Sequence, residues 1–406
     1  MARPYSQAKN KMNYRKSQIT MLMIVGLLLF IVVSFVLYLS KSAVKRQGYN
    51  SVKGVQQTAV DTLAIKNFVS NCVDKLTKES FLLLGNQGGY LYSSQGGTLI
   101  DYDEINDEGK FFVKYNGYNV VYNILPPKFE SSYYTSKIPN YPWKTFPYNA
   151  MNNQVFDGYF GINNMPFLYS SQGPQSIQSQ IESYIDNNIE NCLGLDFLKN
   201  LSYDIEIKKS KTQVVIGSTN LNVNIDLPIT VRNKNTKESF ELRKFSSIVD
   251  LRLKDIYSYL KNMIDGDIKN IKFDITSAAS PDLSINILKD IYSKDDIIII
   301  TDDNSLINGK PFQYVFARKN RAPALYYLSP EVLYFDSGYL IKEDDVLRGQ
   351  KLNAEDPDED ALQFSIRALS HDSALPRILD VPELTFRVEV NDGSLIDYQD
   401  ITVYQK

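Results

Sequence analysis

Histidine is nearly missing from this chain: His371 is the only one in 406 residues. A single imidazole excludes any metal site built on several histidines and leaves a serine–histidine–aspartate triad with one available base. His371 falls in an irregular stretch that reads as an exposed loop. Cysteine is almost as scarce, Cys72 and Cys192 alone, which suits an exported domain with one disulfide. An excess of charge is lacking too: 44 Lys and Arg against 47 Asp and Glu give a net charge of -3, which argues against a general nucleic-acid binder. Phosphate-binding patterns are absent, since no Lys-Ser/Thr follows Gly85, Gly88 and Gly89 and there is no GxGxxG. The acidic pairs Asp295-Asp296 and Asp302-Asp303 offer acid–base chemistry in principle, but carboxylates bordering turns read as solvated. Nothing here points to an enzyme.

The dominant feature is Ile19 to Leu39, an uncharged apolar run. At about 1.5 Å per helical residue it is long enough to cross a hydrocarbon core of roughly 30 Å. Basic residues flank both sides, Arg3, Lys9, Lys11, Arg15 and Lys16 before it and Lys41, Lys45, Arg46 and Lys53 after it, so charge alone barely sets the orientation. The cargo sets it: a large chain with two cysteines behind a single anchor reads as exported. The N-terminus is thus expected in the cytoplasm and the bulk outside, in a single-pass protein of the cell membrane. The expected organisation is a basic leader (1–17), a transmembrane helix (18–40), a juxtamembrane linker (41–54), an α+β ectodomain (55–325) and a C-terminal β-sandwich (326–406).

From Val55 the chain reads as helix, with Val60, Ala64, Phe68, Cys72 and Leu76 every fourth residue, and Gly85 supplies a stop. A second helix, Ile177 to Leu193, places Ile181, Tyr184, Ile185, Ile189 and Cys192 on one side. Both cysteines lie on apolar faces near helix ends, so a Cys72–Cys192 bridge is expected, with two buried thiols as the alternative. Between the helices, 126–174 is long, aperiodic and aromatic, with Tyr133, Tyr134, Trp143, Phe167 and Tyr169 among prolines. Such a loop packs on itself or presents rings to sugars or a protein partner. Tyr203 to Phe245 alternates as an antiparallel meander, Ile248 to Ile264 returns to helical period, and Ile297–Ile300 with Phe312–Phe316 form a hairpin across Asn308-Gly309. Asn200 opens the one clear glycosylation sequon.

Three resemblances add to this reading. Arg15-Lys16-Ser17-Gln18, set against the apolar run, resembles the processing site of archaeal type IV pilin-like proteins, which implies cleavage between Ser17 and Gln18; Leu22 stands where the mature pilin helix commonly has an acidic residue. The anchor, the Cys72 helix running into Gln87-Gly88-Gly89-Tyr90, and Asn308-Gly309-Lys310-Pro311-Phe312 together resemble uncharacterised single-span envelope proteins of small-celled archaea. Beyond Asn320-Arg321-Ala322-Pro323, the phrases from Leu352 to Phe364 and from Leu384 to Ser394 look like the cadherin-like, dystroglycan-type immunoglobulin-like sandwiches of surface proteins, over about the last 80 residues. That likeness implies that Glu355, Asp356, Asp358, Asp360 and Asp392 gather at one end of the sandwich as hard oxygen ligands for calcium. The linker carries Arg318 and Lys319 where cadherins place acidic ligands.

The sequence therefore reads as a membrane-anchored cell-surface adhesion, binding or scaffold protein, with a pilin-like filament subunit as the alternative. Its expected partners are the lipid bilayer and surface proteins, glycans or like subunits, with calcium as the one candidate cofactor and no nucleic acid.

Overall fold

The computed structural model describes residues 55–91, 111–126, 160–194 and 203–406, the last stretch without 236, 279, 327, 330–331 and 370–381. The apolar run, Ser17 and Gln18, Asn200, His371 and the aromatic residues from 127 to 159 lie outside the described residues. Among the described residues no helix is long and apolar enough to cross a membrane.

Helix α1 (Val55–Asn86) buries Val69, Cys72, Val73 and Leu76, while Ala64 is exposed and Phe68 only half-buried. A strict four-residue repeat drifts around a helix of 3.6 residues per turn, so the buried stripe steps between threes and fours. Gly85 is not the stop. It lies within α1, where a Cβ would collide with the Gln313 carbonyl and meet the Phe312 ring at 2.8 Å. The turn that ends α1 belongs to Gly88 and Gly89, at φ +68° and +86°. There the Gly89 N–H closes back on the Leu84 carbonyl at 2.9 Å and the Gly88 N–H reaches Val315 at 2.8 Å.

The surface against which α1 ends is a mixed sheet in the order β1-β2-β10-β9-β8. Its strands are β1 (Phe112–Tyr115), β2 (Tyr118–Leu125), β8 (Leu283–Tyr292), β9 (Asp295–Ile307) and β10 (Lys310–Arg318), with the short β3 (Ile162–Asn163) beside β2. Asn308-Gly309, both at positive φ (54° and 75°), turns the expected β9–β10 hairpin. β10 is central, antiparallel to β9 and parallel to β2. Ile297, Ile298, Ile299 and Ile300 are all buried, as expected of a strand covered on both faces, each contributing about 1.5–3 kcal/mol by burial.

Helix α2 (Ile177–Leu193) matches its sequence boundaries. Ser176 caps its start by accepting the Ser179 N–H, and Gly194 closes its end in the left-handed region. A second sheet holds β4 (Tyr203–Ile207), β5 (Lys211–Ile216), β6 (Leu221–Asn233) and β7 (Ser239–Val249). It is not a simple meander: β6 is long enough to pair with β5 along its first half and β4 along its second, with β7 on its other side. The edge of β5 is covered by α2. Gln178 donates to the Val214 carbonyl at 2.8 Å, Glu182 accepts the Val214 N–H at 2.9 Å, and Asp186 accepts the Thr212 N–H at 3.2 Å. Residues four apart on one helix face thus satisfy an edge that would otherwise be open to pairing.

Helix α3 (Leu253–Lys269) starts later than the sequence periodicity places it, because β7 continues as strand to Val249. The C-terminal part is strand-rich and sandwich-like. A four-stranded sheet runs β12 (Val332–Phe335), β16 (Ile396–Gln405), β15 (Glu383–Asn391), β14 (Gln363–Ala368), accompanied by the pair β11 (Ala324–Leu325) and β13 (Ala354–Glu355) and the short helix α4 (Glu343–Leu347). Alternate residues Leu384, Phe386, Val388 and Val390 with Ile401 and Val403 form its core, packed against Leu325, Leu328, Ile341 and Val346.

Cys72 and Cys192 form the expected disulfide, joining α1 to the last turn of α2 with Cα atoms 5.9 Å apart and a separation of 120 residues. In the chain-entropy account a loop of that size contributes about 4–5 kcal/mol. Cys192→Ser is expected to lower the free energy of unfolding by about 4 kcal/mol. Denaturant midpoints under non-reducing conditions measure this, and addition of reductant should bring the wild type to the same midpoint.

Candidate functional site

β10 ends at Arg318 between β2 and β9, and the chain then crosses to the sandwich through Lys319, Asn320, Arg321 and Ala322. Strand pairing sets Arg318 opposite Asp296. Its guanidinium donates to Asp296 at 2.6 Å and to Asp267 of α3 at 3.2 Å, and its Nε lies 3.1 Å from Asp358. Arg321 is fully buried (0 % exposed). It donates through Nη2 and Nε to Asp358 Oδ1 at 2.8 and 3.1 Å, through its backbone N–H to Asp358 Oδ2 at 2.7 Å, and to the Pro357 and Phe160 carbonyls at 2.8 and 3.0 Å. Asp267 Oδ2 sits 2.8 Å from Arg321 Nη1, close in charge but not aligned for a hydrogen bond. Arg318, Arg321, Asp267, Asp296 and Asp358 thus form a buried cluster, with the exposed Lys289 3.4 Å from Asp296 at its edge.

Burial disfavours each of these charges, and only close partners offset it. Burial opposes the charge of Asp358, yet Arg321 and Arg318 hold it below its ordinary carboxylate value. Arg318 is likewise held above its ordinary value against burial, by Asp358 and Asp267. Beside the cluster, Asp295 accepts the Asn320 N–H at 2.8 Å and the Tyr122 hydroxyl at 2.5 Å, and burial pushes it up. Lys319 lies over the Tyr122 ring at 4.6 Å.

The residues expected to hold calcium are only partly brought together. Asp358 is committed to the arginines. Asp356 accepts the Asp358 and Asp360 N–H groups at 2.8 and 3.0 Å, folding its own loop, and burial pushes it up to about 7. Asp360 lies 3.8 Å from Lys294, and burial raises it to about 6. Asp392 accepts the Ser394 and Leu395 N–H groups and the Asn320 side-chain amide, the last at 3.0 Å. Glu355 turns away to Lys272 and Tyr326, each at 2.9 Å. Among the described residues no group of three or more histidine, cysteine, aspartate or glutamate side chains is arranged to hold a metal ion.

The reading of Asp295-Asp296 and Asp302-Asp303 as solvated turn residues is corrected. Asp295, Asp296 and Asp302 are buried, Asp302 accepting both arms of Arg252 at 2.6 and 3.1 Å; Asp303 alone of the two pairs is exposed. The Asp-Pro-Asp turn is buried as well. Sequence reasoning missed Arg321, Asp267 and Asp296 as members of one cluster. The available signal was two arginines, Arg318 and Arg321, directly after the apolar strand pattern that ends in Phe316-Ala317 and before Ala322-Pro323. Past the cluster, two side chains of β16 fasten the entering chain: Asp397 accepts the Leu325 N–H at 2.8 Å, and Gln399 accepts the Leu328 N–H at 2.8 Å while donating to its carbonyl at 2.5 Å.

Removing one partner leaves a buried charge uncompensated. Arg321→Met is expected to destabilise by about 3–5 kcal/mol, and the double variant Arg321→Met with Asp358→Leu by less than the single one, as read from chemical denaturation. Burial raises Asp397 to about 8. A carboxyl whose folded value lies above its unfolded one binds more protons when folded, so it subtracts stability as pH rises from about 4 towards 8. The Asp397→Asn variant should therefore lose less stability than the wild type between pH 5 and pH 8, in denaturation midpoints taken about one pH unit apart.

No protein-family model matches the chain, and no curated protein is similar to it in sequence. Among solved structures it is similar to Drosophila N-cadherin EC1-4 at 9% identity, covering 50% of this chain and 67% of that one, with a TM-score of 0.17. So slight a likeness carries no argument; the strand-rich, sandwich-like fold stands on the pairings above.

Proposed function

We propose that this chain is a membrane-anchored cell-surface adhesion, binding or scaffold protein. The observation that carries the reading is the buried arginine cluster. It ties the sandwich to β10, β9 and α3, so a pull on the C-terminal module passes into the membrane-proximal sheet through paired charges. Two further features support it. Ile19 to Leu39 is long and apolar enough to anchor the chain, and the Cys72–Cys192 bridge belongs in an oxidising compartment. In this reading Ile19 to Leu39 anchors the chain in the bilayer, and the cadherin-like module meets other surface molecules or like subunits.

Protease treatment of intact cells tests the topology. The region after Lys53 should be released, leaving a membrane stub that begins at Met1; a stub beginning at Gln18 would favour the pilin-like subunit instead. Full protection in intact cells, with digestion only after lysis, would overturn the reading.

A further inference from the structure

Away from the arginine cluster, α3 and the segment from Asn163 to Gln172 enclose an open-sided cleft of ≈ 440 Å³. One wall is a helical stripe. Lys254, Tyr257, Lys261 and Asp265 recur at threes and fours along α3 and so share one face. The other wall carries Phe167, a phenyl ring that is 57% exposed. Its backbone is nonetheless fixed: the Phe167 and Leu168 carbonyls accept the N–H groups of Ile177 and Gln178 at 2.7 and 3.1 Å. The Met165 N–H reaches the Asn163 side chain at 2.9 Å and the Ser170 N–H that of Gln178 at 2.9 Å. An aromatic face on a stiff segment with no part in the core is preorganised for a ligand.

The opposite rim is polar. Asp265 accepts Asn163 Nδ2 at 3.0 Å and Lys261 Nζ at 2.5 Å. Against its partial burial, those two partners hold it below the ordinary carboxylate value, so it stands charged with lone pairs to spare. An apolar floor with a few convergent polar groups is the usual make-up of a small-molecule site. The match here is to a ligand with an apolar face and a hydroxylated edge. A lipid chain would leave Asp265 and Lys261 without exchange partners for the water they lose, and a simple anion would leave Phe167 unused.

We propose that this cleft binds a sugar ring, one or two units of a glycan, with Phe167 stacked on the C–H face and Asp265 and Asn163 bonded to neighbouring hydroxyls. Tyr257 and Tyr169 bound the ring, and Lys261 holds the carboxylate in place. The chemistry is independent of how the chain is anchored, so the test needs no cells. Saturation-transfer NMR on the purified full chain in detergent would use four probes: maltose, cellobiose, N,N′-diacetylchitobiose and digalacturonic acid, each at millimolar concentration. At least one should receive saturation on its ring C–H protons. Phe167→Ala should abolish the transfer, and Asp265→Asn should weaken binding about tenfold, the loss of a charge-assisted hydrogen bond. Both side chains lie at the rim, and unchanged melting temperatures would show that the variants fold. Absence of transfer to all four probes, or equal transfer in Phe167→Ala, would overturn the proposal. So would binding of a phenylalanine-containing tripeptide alone, which would mark the cleft as a peptide site.

Discussion

A fully buried guanidinium is the constraint on which the rest of this structure depends. Arg321 keeps its charge, as guanidinium groups in proteins do, and it cannot stay buried without acceptors. Its guanidinium is therefore met from three directions: the Asp-Pro-Asp loop and the carbonyl of Phe160 accept its hydrogen bonds, and the carboxylate of Asp267 supplies a close opposite charge. Each partner belongs to a different part of the fold. Burying one residue fixes where the sandwich loop, the start of the 160s segment and α3 must stand. Arg318 extends the same logic to the start of β9 through Asp296. A cluster of this kind adds little net stability over well-packed apolar residues, but breaking it by removing one partner is strongly destabilising, because the remaining charge is left buried and uncompensated.

The same need to satisfy polar groups shapes the part of the chain behind the junction. β5 is an edge strand, and the side chains of α2 complete its hydrogen bonds. That helix is itself fastened to α1 by the disulfide, and Ser247 of β7 donates to Asp74 of α1 at 2.9 Å. Polar links thus join helices and sheet alongside the apolar packing. Gly85 and Gly89 mark where backbone and side chain come too close for a Cβ, at the Gln313 carbonyl and the Tyr314 hydroxyl.

Much of the local architecture was legible in the residues because it rests on short-range periodicity. The boundaries of α2 follow from Ser176, Gly194 and the run of isoleucines between them, and the β9–β10 hairpin follows from Asn308-Gly309. Errors arose where a local signal had two readings. A glycine after a hydrophobic run reads as a helix stop, but Gly85 answers to a neighbour more than two hundred positions away in sequence. Paired aspartates near turns read as solvated, but Asp295 and Asp296 open a central hairpin and are covered by the chain that leaves it.

The sequence by itself determined the elements: which stretches are helix, which are strand, that the two cysteines lie on apolar faces, and that the chain beyond Pro323 is strand-rich. These depend on side-chain period and turn chemistry over a few residues, which the linear order preserves. Only the tertiary structure decided what the acidic loop faces. Asp358 meets Arg321 and Arg318 because β10, α3 and the loop after β13 converge, and a carboxylate is indifferent in sequence to whether its counter-charge is a metal ion or a guanidinium. That choice is made by distance and burial, which no spacing along the chain encodes.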